Sequence, residues 1–211
     1  MRFLLALATC ALVYAPQQQV LPNHNKAKEF NNRAIKLTLE QGRFEDKLER
    51  ANRLLDSAIL IDPNYVVARQ NKLNNLITLK KYDLAISSAD EILKRKSSIE
   101  IATAKAALLH KKGKNKEVKQ VFDKEISMAI DKYKKKPSST LLCNIALAYF
   151  LNGEKEKALN LLDTEKQKFT NDIKTKQQIE AFRKQLPSFT FDKVLNSYIR
   201  IKPKSNRSSF V

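Results

Sequence analysis

Apolar residues recur at helical spacing along most of the chain, and the pattern is clearest in residues 139–170. There, a first apolar face is followed by Asn152-Gly153, which predicts the end of a helix because glycine tolerates the left-handed turn at a helix C-terminus. A second apolar face lies between Glu154 and Phe169, so the segment is predicted to form a helix-turn-helix unit. The residues of the two faces are Ile145, Ala146, Ala148, Tyr149, Ala158, Leu159, Leu161, Leu162 and Phe169.

Three further helix-turn-helix units are predicted at residues 27–63, 66–97 and 99–137, because related apolar spacing recurs there. The Asp-Pro-Asn sequence at 62–64 separates the first two units, since proline cannot continue a helix and asparagine can cap the next one. Pro137 and the two serines after it repeat this break before the fourth unit. The second helix of the third unit is predicted to be long, because its apolar spacing continues through Ile126, Ile130 and Tyr133 until Pro137.

The C-terminal part of the chain predicts helices that cover the last unit. Apolar residues at helical spacing predict one helix from Ile173 to Leu186 and a shorter one after Pro187. We therefore predict capping helices over residues 173–201, because the last unit of an array has no further neighbour to bury its apolar face. Residues 202–211 are basic and serine-rich and are predicted to be disordered.

The composition favours an all-α fold. Only 3 glycines and 6 prolines occur in 211 residues, which is few for a many-stranded β fold. Leu, Ala, Lys, Glu and Gln are frequent instead, and all are good helix formers. The hydrophobic share of 43% and the charged share of 29% are typical of a folded soluble protein.

The predicted units resemble the tetratricopeptide repeat, an antiparallel helix pair of about 34 residues. In the fourth unit, the family's small residue, aromatic residue, turn glycine and second-helix alanine correspond to Ala146, Tyr149, Gly153 and Ala158. Thr170 stands where the family has an exit proline. The resemblance implies a right-handed α-solenoid of about four repeats over residues 27–172, with a concave groove lined by the first helix of each repeat.

In tetratricopeptide arrays this groove takes peptides or partner helices, so the resemblance also implies which residues meet a partner. For Leu147 and Phe150 the alternative is core packing, and for the polar residues it is ordinary solvent exposure. The carboxylate clamp of one subtype is not predicted, because Glu100 and Ala104 replace its basic pair. The predicted groove residues are Asn32, Lys36, Gln70, Asn71, Asn74, Ile77, Thr103, Ala107, His110, Leu147 and Phe150.

Residues 1–15 predict a targeting segment. One arginine is followed by about a dozen apolar residues, which matches a signal peptide and is too short to span a bilayer. We therefore predict export to a bacterial cell envelope or periplasm, with residues 16–26 as a flexible linker. Cys10 is an alternative lipidation site, although Thr9 stands where a lipobox has a smaller residue. A cytoplasmic protein whose apolar N-terminus packs on the array is the other alternative.

No catalytic constellation occurs in the sequence. The two histidines lack cysteine or glutamate at metal-ligand spacing, and no phosphate-binding glycine loop is present, so neither enzyme activity nor a metal or cofactor is predicted. The predicted function is a scaffold for a protein or peptide partner, with membrane contact only through a lipid anchor. The net charge of +18 leaves a basic surface for an anionic polymer as the alternative. Nucleic acid is not favoured, because the lysines are scattered and arginine is sparse.

Overall fold

The computed structural model of the protein describes residues 23–40, 43–169 and 172–199. In these residues the backbone forms ten α-helices and one short 3-10 helix, and no β-strand. The predicted all-α class is therefore confirmed. The helices are α1 (His24–Leu39), α2 (Phe44–Ile61), α3 (Val66–Thr78), α4 (Tyr82–Arg95), α5 (Ile99–Lys111), α6 (Asn115–Lys135), α7 (Ser139–Leu151), α8 (Lys155–Lys166), α9 (Ile173–Gln185) and α10 (Phe191–Tyr198).

Several predictions fall outside the described residues. They are the signal-like segment 1–15 with Cys10, the linker up to residue 22, and the tail 202–211. The end of the predicted linker is helical rather than flexible, since α1 already begins at His24. This early start has a local cause, because the Asn23 side chain accepts a hydrogen bond from the Lys26 N–H at 2.9 Å and thereby caps the helix.

The first eight helices form four consecutive pairs. α1 packs on α2, α3 on α4, α5 on α6 and α7 on α8, and the second helix of each pair packs on the first helix of the next. The four pairs occupy the segments that the hydrophobic pattern predicts. The long second helix of the third unit is confirmed, since α6 has 21 residues and α4 has 14.

The turns inside the last three pairs close with the same backbone hydrogen bonds. In the turn between α7 and α8, the Gly153 N–H donates to the Phe150 carbonyl at 3.1 Å, and the Glu154 N–H donates to the Tyr149 carbonyl at 2.9 Å. This is the Schellman pattern, which needs one residue in the left-handed conformation. The left-handed residues of the three turns are Lys80 (φ 57°), Gly113 (φ 74°) and Gly153 (φ 88°).

Substitutions at Gly153 and Lys80 should change the free energy of unfolding in opposite directions. Gly153→Ala is expected to lower the free energy of unfolding by about 1–2 kcal/mol, because an L-residue is strained at this φ. An added Cβ would meet nothing within 4 Å, so no packing change obscures the backbone effect. Lys80→Gly relieves the same strain and should raise the free energy of unfolding by up to about 1 kcal/mol. Urea titrations test both changes, and a stabilised Gly153→Ala protein would contradict this description of the turns.

The break between the first two pairs is organised by Asp62, which is 5% exposed. One carboxylate oxygen accepts a hydrogen bond from the Asn64 N–H at 3.0 Å, and the other lies 3.0 Å from His24 Nδ1. The predicted capping role of Asn64 is wrong, because α3 begins after Tyr65 without a side-chain cap. At the later break the serine cap is confirmed, since the Ser138 hydroxyl accepts from the Leu141 N–H at 3.2 Å.

The two C-terminal helices have different roles. α9 packs on α7 and α8, with Ile179 fully buried, as predicted for a cap of the last pair. After the 3-10 helix Leu186–Ser188, α10 turns back and packs on α5 and α3. The prediction that α10 also caps the last pair is therefore wrong. The reason is that its apolar side chains join a cluster between α3 and α5.

Candidate helix-binding groove

α10 lies on a surface formed by the first helices of the second and third pairs. We call this surface the α10 groove. It is built from buried apolar residues of α3 and α5 that form one cluster with α10. These residues are Leu73, Leu76, Ile77, Ile101, Ala107 and Leu108. All six are at most 4% exposed, and they share one apolar cluster with residues of α10 and of α4.

The burial of α5 explains why the groove needs an occupant. Nine of its 13 residues are buried, although a helix at the edge of a pair normally keeps one polar face. α4 and α6 cover two sides of α5, and α10 covers a third. Without α10, Ile101, Ala107 and Leu108 would lose one of the elements that pack around them.

α10 is amphipathic in the pattern that helix-binding grooves recognise. Phe191, Val194, Leu195 and Tyr198 stand at positions i, i+3, i+4 and i+7, and all four pack in or against the cluster. Grooves that bind amphipathic helices use anchors at this spacing, because it places the side chains on one helical face. The residues between the anchors are exposed: Asp192, Lys193, Asn196 and Ser197.

Polar and aromatic contacts fix the two ends of α10. At its start, the Phe191 ring stacks on the His110 ring with centroids 4.3 Å apart, and Lys111 Nζ lies 3.0 Å from Asp192 Oδ1. At its end, the Tyr198 hydroxyl donates to the Glu100 carbonyl at 3.3 Å. Burial raises the pKa of Tyr198 to about 12, so this hydroxyl keeps its proton at physiological pH. The exposed ion pair contributes little to stability, which leaves the apolar anchors as the main attachment.

The structure brings part of the predicted site together in this groove. His110 contacts α10, and Ile77 and Ala107 share its buried cluster. Leu147 is half-buried and packs against the same cluster. Thr103 is 5% exposed, and its hydroxyl donates to the Ile99 carbonyl at 2.7 Å. An open groove was expected at these positions, but Ile77, Thr103 and Ala107 are buried.

The remaining predicted residues lie elsewhere. Asn32 is exposed on α1, and Gln70 and Asn74 are half-buried on α3. Asn71 is engaged within the fold, since its amide donates to the buried Asn31 side chain at 2.8 Å. Lys36 is also exposed, and it lines a separate cavity between α1 and α2.

Phe150 is half-buried and packs against the cluster formed around α5 to α9. The Lys155 ammonium group lies 5.6 Å from the centre of its ring. The surroundings of Phe150 therefore match core packing, which was the alternative to the predicted groove position.

The four anchors of α10 were not among the predicted groove residues. Their helical spacing was visible in the sequence, but it was assigned to a terminal cap. A second signal was the composition of α5, IEIATAKAALLHK, whose apolar residues extend around most of the helix. Such a helix has apolar residues on more faces than its partner helix in the pair can bury.

Other candidate chemistry is sparse in the described part of the chain. There, no three histidine, cysteine, aspartate or glutamate side chains are placed to hold a metal ion. Cys143 is half-buried, and burial raises the pKa of its thiol to about 11, which keeps it protonated at neutral pH. None of the described helices is both long and apolar enough to cross a membrane.

No protein-family model matches the sequence, and none of the curated proteins searched matches it.

Proposed function

We propose that this protein is a non-catalytic interaction module whose α10 groove binds an amphipathic helix of a partner protein. The observation that carries the proposal is α10 itself. It is an amphipathic helix with four anchors, and it occupies the groove through apolar burial and a few end contacts. A partner helix with the same anchor spacing would find the same apolar floor once α10 has left it.

We further propose that the helix pairs form a right-handed tetratricopeptide-like solenoid. The repeated Schellman turns support this assignment, because Lys80 and Gly113 are equivalent turn residues about one repeat apart. The interval from Gly113 to Gly153 is longer, which agrees with the extended α6. In such a solenoid, the first helices of the repeats line one face, and the α10 groove belongs to that face.

A partner helix competes with α10 for the groove. α10 is tethered, so its effective concentration at the groove is in the millimolar range, and an untethered helix must overcome that advantage. Weakening the anchors of α10 should therefore expose a binding site that the wild-type protein masks.

The full-length Val194→Ser/Leu195→Ser variant tests this proposal. A fluorescent peptide with the sequence of residues 189–199 is expected to bind the variant at least about tenfold more tightly than the wild type, because the tethered competitor is weakened. Fluorescence anisotropy measures the affinity, and circular dichroism checks that the other helices remain folded. The Asn196→Ala/Ser197→Ala variant is the matched control, since both side chains are exposed on α10, and it should behave like the wild type. A folded anchor variant that binds the peptide no better than the wild type would refute the groove.

We also propose that the protein acts after export, on the basis of residues 1–15. The intact mass of the full-length product, recovered from a fractionated Gram-negative host, tests this step. Loss of about fifteen residues is expected for a soluble exported protein, and loss of nine with added acyl mass for lipidation at Cys10. An unprocessed chain in the cytosol would rule out export.

A further inference from the structure

The first helix pair contains a cavity that the groove does not involve. It lies between α1 and α2 and has a volume of about 520 Å³, within the usual range for sites that bind small ligands. Its charged and polar lining comprises Arg33, Lys36, Glu40, Arg50, Arg53 and Ser57. Four cations therefore face one carboxylate around a space large enough for a small molecule.

Helix geometry places these cations on two opposed rows. Arg33 and Lys36 stand three residues apart on α1, and Arg50 and Arg53 stand three residues apart on α2, so each pair shares a face of its helix. Because α1 and α2 pack along each other, the two rows line the same cavity. Like charges around one cavity repel one another, so an anion between them would stabilise the arrangement.

The four cations lack counter-ions within the described part of the chain. None of them makes an ion pair there, and the neighbouring carboxylates on α2 are bound to other groups. Asp46 pairs with Arg43, Glu49 with Lys81, and Asp56 with Lys72. The Arg33 guanidinium instead lies 5.3 Å from the centre of the Phe30 ring, an uncharged neighbour.

The residue type also favours an anionic ligand with several oxygens. Three of the chain's ten arginines line this one cavity, although lysine is three times as frequent overall. The planar guanidinium group donates paired hydrogen bonds to phosphate or carboxylate oxygens, which a lysine ammonium group cannot do. This concentration of arginine distinguishes the cavity from the scattered lysines of the remaining surface.

We propose that the cavity between α1 and α2 binds a small, multiply charged phosphate group. Arg33 and Lys36 contact it from one side and Arg50 and Arg53 from the other, while Glu40 weakens binding. The phosphate belongs either to a soluble compound or to a lipid headgroup, and both present the same oxygens to the four cations.

Binding of inorganic pyrophosphate to the full-length protein tests the site by isothermal titration calorimetry at low salt. Arg50→Gln/Arg53→Gln is expected to weaken binding at least about tenfold, because two charge-assisted contacts are lost. The matched control is Lys132→Gln/Lys135→Gln, which removes the same charge at the same spacing from exposed positions on α6 and should change affinity less than about twofold. Glu40→Gln should strengthen binding, an effect that a purely structural role would not produce.

A second experiment identifies the source of the phosphate. It measures binding to vesicles of phosphatidylcholine with and without phosphatidic acid. Binding to the phosphatidic acid vesicles that is sensitive to Arg50→Gln/Arg53→Gln, without binding of pyrophosphate, assigns a lipid headgroup. Binding of pyrophosphate with the same sensitivity assigns a soluble ligand. Three results would overturn the proposal. They are equal losses of affinity in the arginine and lysine variants, binding to an oligonucleotide only, and no binding of either pyrophosphate or the vesicles. Arg33→Gln repeats the test on the other helix if the double variant does not fold.

Discussion

Phe122→Ala is expected to lower the free energy of unfolding by about 3–5 kcal/mol. Phe122 lies on α6, has an exposed fraction of 0%, and belongs to the apolar cluster that extends from α5 to α9. Truncation removes a full ring from a site whose neighbours are held by several helices, so the space cannot close easily. The cost therefore includes both the lost burial and the cavity that remains. The Phe122 ring also lies 6.4 Å from that of Phe191, so the start of α10 loses a neighbour.

Urea titration followed by circular dichroism measures this loss. Met128→Ala is the control, because Met128 lies on the same helix and is 45% exposed. Its free energy of unfolding should change by about 0.5 kcal/mol or less, as for most surface substitutions. A loss below about 1 kcal/mol in Phe122→Ala would contradict the close packing described for α6.

The second large effect is expected at a buried asparagine pair that links α2 to α3. The Asn75 amide donates to the Asn52 side-chain oxygen at 3.0 Å, and the two residues are 1% and 6% exposed. The Asn75 side-chain oxygen has no hydrogen-bond partner among the described residues. Asn52→Leu would leave both polar atoms of Asn75 buried without a partner. We therefore expect a loss of about 1–3 kcal/mol in the free energy of unfolding.

A double-mutant cycle separates this penalty from any packing change. Asn52→Leu/Asn75→Leu removes both polar groups, so its stability should return to within about 1 kcal/mol of the wild type. The double variant should therefore be more stable than Asn52→Leu alone. If the loss of stability in the double variant equals the sum of the losses in Asn52→Leu and Asn75→Leu, the hydrogen bond contributes nothing to stability.

The two proposed sites call for independent experiments. The α10 groove binds through apolar anchors, so its affinity for a helix should depend only weakly on salt. The cavity between α1 and α2 binds through exposed cations, and added salt should weaken it strongly. Substitutions of Val194 and Leu195 leave the cavity intact, whereas substitutions of Arg50 and Arg53 leave the groove intact. Failure of one proposal therefore does not bear on the other.

The sequence by itself determined the helices and the breaks between them. Apolar spacing is a local property, and Gly113, Gly153 and Pro137 act on the backbone at their own positions. These features predicted the four helix pairs and the long α6. The left-handed conformation of Lys80 was not predicted from the sequence. Only the hydrogen bonds of the turn show that a lysine takes the conformation that the other turns give to glycine.

Only the tertiary structure decided which surfaces are covered and which charges meet. The anchors of α10 follow Ile77 and Ala107 by more than 80 residues in the sequence, and their apolar character suits a terminal cap as well as a groove. Likewise, the spacing of Arg50 and Arg53 predicts a shared helical face but not the opposing row on α1. Periodicity specifies the face of a helix, whereas the partner of that face depends on how the pairs pack and where the chain turns back after α9.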